Sequence, residues 1–101
     1  MSINTHMYIY AIGTTGNRQK IGFSSNPDKR VKTLQTGNAE PLTVHYCFEV
    51  SESVAAKFEK HIHREYNHRR IKGEWFNMSP DEVITMMQYQ EIMKDTISGK
   101  L

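Results

Sequence analysis

Five polar side chains fall in an order that a small fold can bring together: Tyr10, Lys20, Arg30, Glu59 and His63. Hydrolysis at a phosphate ester needs an oriented or deprotonated water, neutralisation of charge on phosphate oxygens, and stabilisation of the departing oxyanion. Each need has a candidate here. Tyr10 can position or deprotonate water, but a free tyrosine has a pKa of about 10, so a neighbouring cation would have to stabilise its phenolate. Lys20 is the candidate for that cation; alternatively, Lys20 is itself the base, and the sequence leaves both roles open. Arg30 offers a planar fork matched to a phosphate. Glu59 is the candidate metal ligand, because a hard Mg²⁺ ion commonly takes one or two carboxylates and completes its shell with water and substrate phosphate. His63, four residues further along the same helical face, can assist proton transfer, orient water or bind a phosphate.

The elements that must position these groups are legible in the patterning. Residues 7–13 alternate, with Tyr8, Tyr10 and Ile12 on one face and Met7, Ile9 and Ala11 on the other, which predicts a strand. Turn formers at 14–17 and a second apolar run over 19–23 make this a β-hairpin, which carries Lys20 toward the tyrosines. Asn26 and Pro27 fit an N-cap and first helical position, and Val31 and Leu34 give an apolar stripe up to Gly37, predicting a helix over 27–36. Alternating Leu42, Val44, Tyr46, Phe48 and Val50 predict a third strand. Ser51 or Ser53 can then cap a helix whose stripe is Val54, Phe58, Ile62 and Tyr66 and which ends near Asn67. Ser79, Pro80 and Glu82 supply a capping box for a third helix over about 80–95, whose apolar face holds Val83, Met86, Met87 and Met93. The expected fold is α+β: a three-stranded, mostly antiparallel sheet flanked by about three helices.

Taken in order, these residues resemble the GIY-YIG nuclease superfamily. Tyr8-Ile9-Tyr10 stands for the first half-motif and Lys20-Ile21-Gly22 for the second, with Ser24 and Arg30 at the offsets of that family's small hydroxyl residue and arginine. The chain is most similar to the compact phage-associated branch, in which KIG replaces YIG and a Glu-x-x-x-His helix leads into a Gly-Glu-Trp-Phe segment; here these are Glu59, His63 and Gly73-Glu74-Trp75-Phe76. The resemblance covers about residues 8–85. It implies a one-metal mechanism using Mg²⁺ or Mn²⁺ held by Glu59, with Tyr10, Lys20, Arg30 and His63 as catalytic groups.

Composition sets the outer limits. The 101 residues, 38% hydrophobic and 24% charged, suit one domain spanning 1–101 with a modest core. No apolar run approaches the roughly 18 residues of a bilayer span, the start MSINTHMYIY lacks the pattern of a signal peptide, and the lone Cys47 cannot form an internal disulfide. A cytoplasmic setting away from membranes is therefore expected. The net charge is only +2, yet eleven of the thirteen Lys and Arg residues fall within 18–32 and 57–72. If folding unites the two windows they form a cationic face for nucleic acid, with Arg18, Lys29, Lys32, Arg64, Arg69, Arg70 and Lys72 as its contacts. His61, His63 and His68 do not have zinc-site spacing, and Trp75 and Phe76 read first as core or sheet-edge residues.

The expected activity is a metal-dependent endonuclease acting on DNA. A non-catalytic nucleic-acid-binding module with the same fold is the alternative, and a protein-interaction domain meeting an acidic partner is a more distant one. The catalytic-type domain takes up the whole chain and leaves no separate zinc finger or helix-turn-helix to read base edges. Sequence specificity would then come from a homodimer, a partner protein or the structure of the DNA.

Overall fold

The computed structural model describes residues 6–101; the first five residues, part of the segment read for a targeting signal, lie outside the described residues. Strand β1 (His6–Gly13) and strand β2 (Gln19–Ser24) form the expected antiparallel hairpin, with Tyr10 opposite Gly22 and Ile12 opposite Lys20. The connecting turn is closed from inside. Gln19 is completely buried, and its amide donates to the Thr14 carbonyl at 3.2 Å and the Gly16 carbonyl at 2.9 Å. Strand β3 (Thr43–Ser51) pairs antiparallel with the other edge of β1, with an irregularity between Ala11 and Ile12.

The sheet is larger than the three strands expected. Strand β4 (Arg70–Lys72) and strand β5 (Trp75–Phe76) form a second hairpin that adds to β2, giving the order β3-β1-β2-β5-β4. Strands of three and two residues are too short to show a period, which is why the pattern alone does not reveal them. Their reversal is encoded at Gly73, whose φ of +58° is a conformation that costs a side-chain-bearing residue about 1 kcal/mol or more.

Helix α1 (Pro27–Gln35) begins as predicted, with the Asn26 side chain accepting the Lys29 amide at 3.1 Å and proline in the first turn. Helix α2 (Glu52–Glu65) starts directly from the end of β3; Ser51 caps it without a side-chain bond. Helix α3 (Pro80–Ile92) opens with the full capping box between Ser79 and Glu82. Its apolar face predicts an end near 95. The helix instead stops at Ile92, and a short helix α4 (Lys94–Ser98) follows across Met93.

The alternation of β1 divides the molecule into layers. Ile9 and Ala11, with Ile21 of β2 and Phe48 and Val50 of β3, point into one core with Phe58 and Ile62 of α2, Val83 and Met87 of α3, and Ile97 of α4. Each of the larger ones, the Ile, Val, Phe and Met side chains, contributes about 1.5 to 3 kcal/mol of transfer free energy. Tyr10 and Ile12 point the other way, toward α1, and are also buried. Among the described residues no helix is long and apolar enough to cross a membrane.

Candidate active site

The α1 face of the sheet carries the first candidates. Tyr10 packs flat over Gly22, where a side chain would have to occupy space 2.6 Å from the ring carbon that bears the hydroxyl. That hydroxyl accepts a hydrogen bond from Arg30 Nε at 3.5 Å. Burial pushes the Tyr10 pKa up; Arg30 pulls it down by hydrogen bonding and by charge, and burial wins. Tyr10 is therefore a neutral hydroxyl at neutral pH, suited to orienting water through hydrogen bonds rather than to deprotonating it. Hydrogen bonding to Tyr10 raises the Arg30 pKa, so the guanidinium stays charged, and its outer edge opens on a cleft lined by Ser24, Ser25, Asn26, Lys29 and Thr33.

Lys20 points from the same face but has a different partner from the one expected. The cation beside Tyr10 is Arg30, while Lys20 Nζ lies 3.0 Å from a Glu74 carboxylate oxygen and 5.7 Å from the centre of the Trp75 ring. Arg18 extends over the same ring at 5.0 Å. The β2–β5 ladder sets this up: Lys20 stands opposite Trp75, and the Ile21 amide donates to the Glu74 carbonyl at 3.0 Å.

Glu59 arrives from the other layer. β5 begins only at Trp75, opposite Lys20, so the edge of β2 beyond Ile21 is open. Two residues past Ile21 the Phe23 amide points the same way, into that opening, and its dipole favours the charged Glu59 carboxylate. Helix α2 thus delivers a carboxylate around the sheet edge. Burial, reinforced by repulsion from Glu74, pushes its pKa up to about 7; Lys20, Lys60 and the Phe23 amide oppose the rise. A half-buried carboxylate that is costly to ionise is a donor suited to a hard divalent cation. Among the described residues no three His, Cys, Asp or Glu side chains come together, so such an ion would rest on Glu59, water and phosphate oxygens, the usual Mg²⁺ arrangement.

His63 is not in this group's solvent-facing part. Its ring is 8% exposed, lies 5.0 Å from the Phe76 ring, and donates from Nε2 to the Ile21 carbonyl at 2.8 Å. A carbonyl can only accept, so the Nε2 proton is fixed, and burial lowers the pKa, keeping the ring neutral. His63 ties α2 to β2 at the residue next to Lys20.

The basic residues are divided. Arg18, Lys29 and Lys32 are exposed near the α1 face or the β1–β2 turn, and Lys72 is exposed on β4. Arg64 lies in a groove with Tyr89 and Lys100 on the helical layer opposite α1. Arg69 and Arg70 spend donors on partners within the chain, at its surface. Arg69 binds both oxygens of Glu82 at 3.0 and 2.9 Å, and Arg70 binds Asn67 and the Gly73 carbonyl while stacking 5.1 Å from the Phe76 ring. The two charge windows therefore do not merge into one continuous face.

Two further residues shape the site without standing out among the sequence candidates. For Glu74 the available signals are the Gly73-Glu74-Trp75-Phe76 segment and its place in a two-residue turn beginning with glycine; for Gly22 they are the Lys20-Ile21-Gly22 half-motif and the hairpin register that makes it the floor under Tyr10. Comparison with curated proteins and with solved structures gives no match. The family model of the T5orf172 domain, a phage-associated domain of nuclease type, matches residues 5–90. With the whole described sheet, both candidate faces and α2 inside that span, the chain belongs to the T5orf172 domain family.

Proposed function

We propose that this chain is an endonuclease of the GIY-YIG type, in the branch with a KIG second half-motif, which hydrolyses DNA phosphodiester bonds with one Mg²⁺ or Mn²⁺ ion. The observation that carries the reading is the gathering of Tyr10, Lys20, Arg30 and Glu59, which lie far apart in sequence, around the open edge of β2 and the adjoining α1 face. Tyr10 feels the charges of Arg30, Glu74 and Glu59, and Glu59 feels those of Glu74 and Lys20, so these groups act as one electrostatic unit.

In this mechanism Arg30 binds a non-bridging phosphate oxygen and offsets charge that grows in the transition state. The neutral Tyr10 hydroxyl, held by Arg30, orients the attacking water. That water gives its proton to solvent as its oxygen bonds to phosphorus, and the departing oxygen takes a proton from the Lys20 ammonium as its bond to phosphorus breaks. Lys20 presents an ammonium toward the reacting phosphate. Glu59 holds the divalent ion, which when bound supplies further charge neutralisation at the phosphate. His63 keeps α2 fixed against β2 at the residue next to Lys20.

The test is nicking of supercoiled plasmid DNA in Mg²⁺ with a chelator control. Glu59→Ala should abolish cleavage with the fold intact, and Arg30→Ala should remove most of it. Either variant cleaving as fast as wild type would overturn the site assignment. Salt-sensitive DNA binding with no product and no metal requirement would favour the non-catalytic module instead.

A further inference from the structure

We propose that Glu74 is a positioning residue of this site, its carboxylate and the neighbouring Trp75 ring forming a receptor on β5 that fixes the Lys20 ammonium on the Tyr10 face of the sheet. The inference rests on the nuclease reading and deepens it. A lysine has about 2 kcal/mol of rotamer entropy to lose and a strongly hydrated head, so an ammonium with only 12% of its side chain exposed needs dedicated partners. Glu74 supplies a charged one at 3.0 Å and Trp75 a π face at 5.7 Å. Arg18, at 5.0 Å from the same ring, helps hold the indole in place.

The receptor is built into the backbone. Lys20 is opposite Trp75 in the ladder, the Ile21 amide is bonded to the Glu74 carbonyl, and the turn that starts β5 reverses at Gly73. Glu74 therefore cannot shift along β2 without breaking the sheet. This distinguishes it from a surface ion pair between two free side chains, which contributes about 0 to 1 kcal/mol and sets no geometry. It also defines what its removal does. Glu59 is the other carboxylate whose charge Lys20 feels, and a Lys20 released from Glu74 turns toward it, leaving its working position.

The experiment compares wild type, Glu74→Ala, Glu74→Gln and the Glu59→Ala control in plasmid nicking, and follows the Lys20 side-chain ammonium by ¹⁵N NMR on the same samples. A displacement of about 1 Å can cost about 10²-fold in rate, so Glu74→Ala should lower kcat by about that factor while KM for DNA stays within about twofold. Glu74→Gln keeps an oxygen for the ammonium and should recover most of the loss. The Lys20 resonance should be observed in wild type and Glu74→Gln and be lost to solvent exchange in Glu74→Ala. Wild-type cleavage by Glu74→Ala, a Gln variant as poor as the Ala variant, or a Lys20 resonance indifferent to Glu74→Ala would each overturn the proposal. A wild-type protein that fails to cleave would overturn the nuclease reading and this inference together, a result told apart from the others by the absence of any difference from Glu59→Ala.

Discussion

The Tyr10 ring lies in the space that any side chain on Gly22 would fill, so the hairpin partner of Tyr10 is the floor that fixes its hydroxyl beside Arg30. Gly22→Ala must move the ring. Overpacking of this kind costs about 1 to 3 kcal/mol, and it should also pull the hydroxyl from Arg30 Nε. The expected result is a lower denaturation midpoint together with a loss of cleavage larger than the stability change explains, read as residual nicking well below the folding transition. A variant that melts early yet cleaves normally would contradict this relationship.

Glu59 carries a pH signature. The fold raises its pKa from 4.5 to about 7, so the native state binds this proton more tightly than the unfolded chain. The stability it contributes is fully present below pH 4.5 and is lost as pH rises through about 7. Glu59→Gln removes the loss. Without divalent metal, the variant should exceed wild type above neutral pH by about 1 to 2 kcal/mol after discounting for solvent screening, and match it at low pH. Chemical denaturation in chelator, from acid to mildly alkaline pH, checks this, and parallel curves for the two proteins would refute it.

His63 has a predicted cost of its own. His63→Phe keeps a flat ring against Phe76 but leaves the Ile21 carbonyl without its donor, an omission worth about 1 to 3 kcal/mol in a buried place. The urea midpoint should fall with the m-value unchanged. A midpoint equal to wild type would show that the bond holds nothing.

Sequence patterning anticipates β1, β2, β3 and the starts of α1 and α3 because each has a period or a cap: alternation in MYIYAIG, Asn26-Pro27, and the Ser79-Glu82 box. The cation it sets beside Tyr10 is Lys20, whereas the fold brings Arg30 there from the helix that follows the hairpin. Spacing on α2 gives the shared face of Glu59 and His63 but not its orientation. One turn separates a carboxylate at the sheet edge from a ring beneath the sheet, because the apolar arc through Phe58 and Ile62 widens to include residue 63. The partner of Lys20 is hidden for another reason. Glu74 reaches it through β5, a strand of two residues whose position depends on long-range pairing. Arg69 and Arg70 look like solvated cations in the sequence, and only the tertiary fold supplies the Glu82 and Phe76 that occupy them.

That division among the basic residues can be measured. Lys29 and Lys32 are exposed on α1, and Lys29 borders the cleft beside Arg30. Replacing both with Ala should flatten the salt dependence of DNA binding by about 0.9 log units for each phosphate that is no longer neutralised. Arg69→Ala should leave the slope unchanged and lower the melting temperature, because its donors serve Glu82 and the Asn77 carbonyl. The opposite assignment of effects would show that Arg69 faces the nucleic acid.

The brevity of β5 has a consequence for how this family can vary. Because the chain turns back at Gly73, the rim of β2 is left unzipped at Phe23, and through that gap a helix on one side hands its carboxylate to chemistry on the other. An insertion at the turn long enough to carry β5 three residues further, to Phe23, would clothe the rim and shut the passage, with every side chain of the site still present. Loop growth elsewhere can be tolerated; here the length of a turn decides whether the Glu59 carboxylate can reach past the sheet edge.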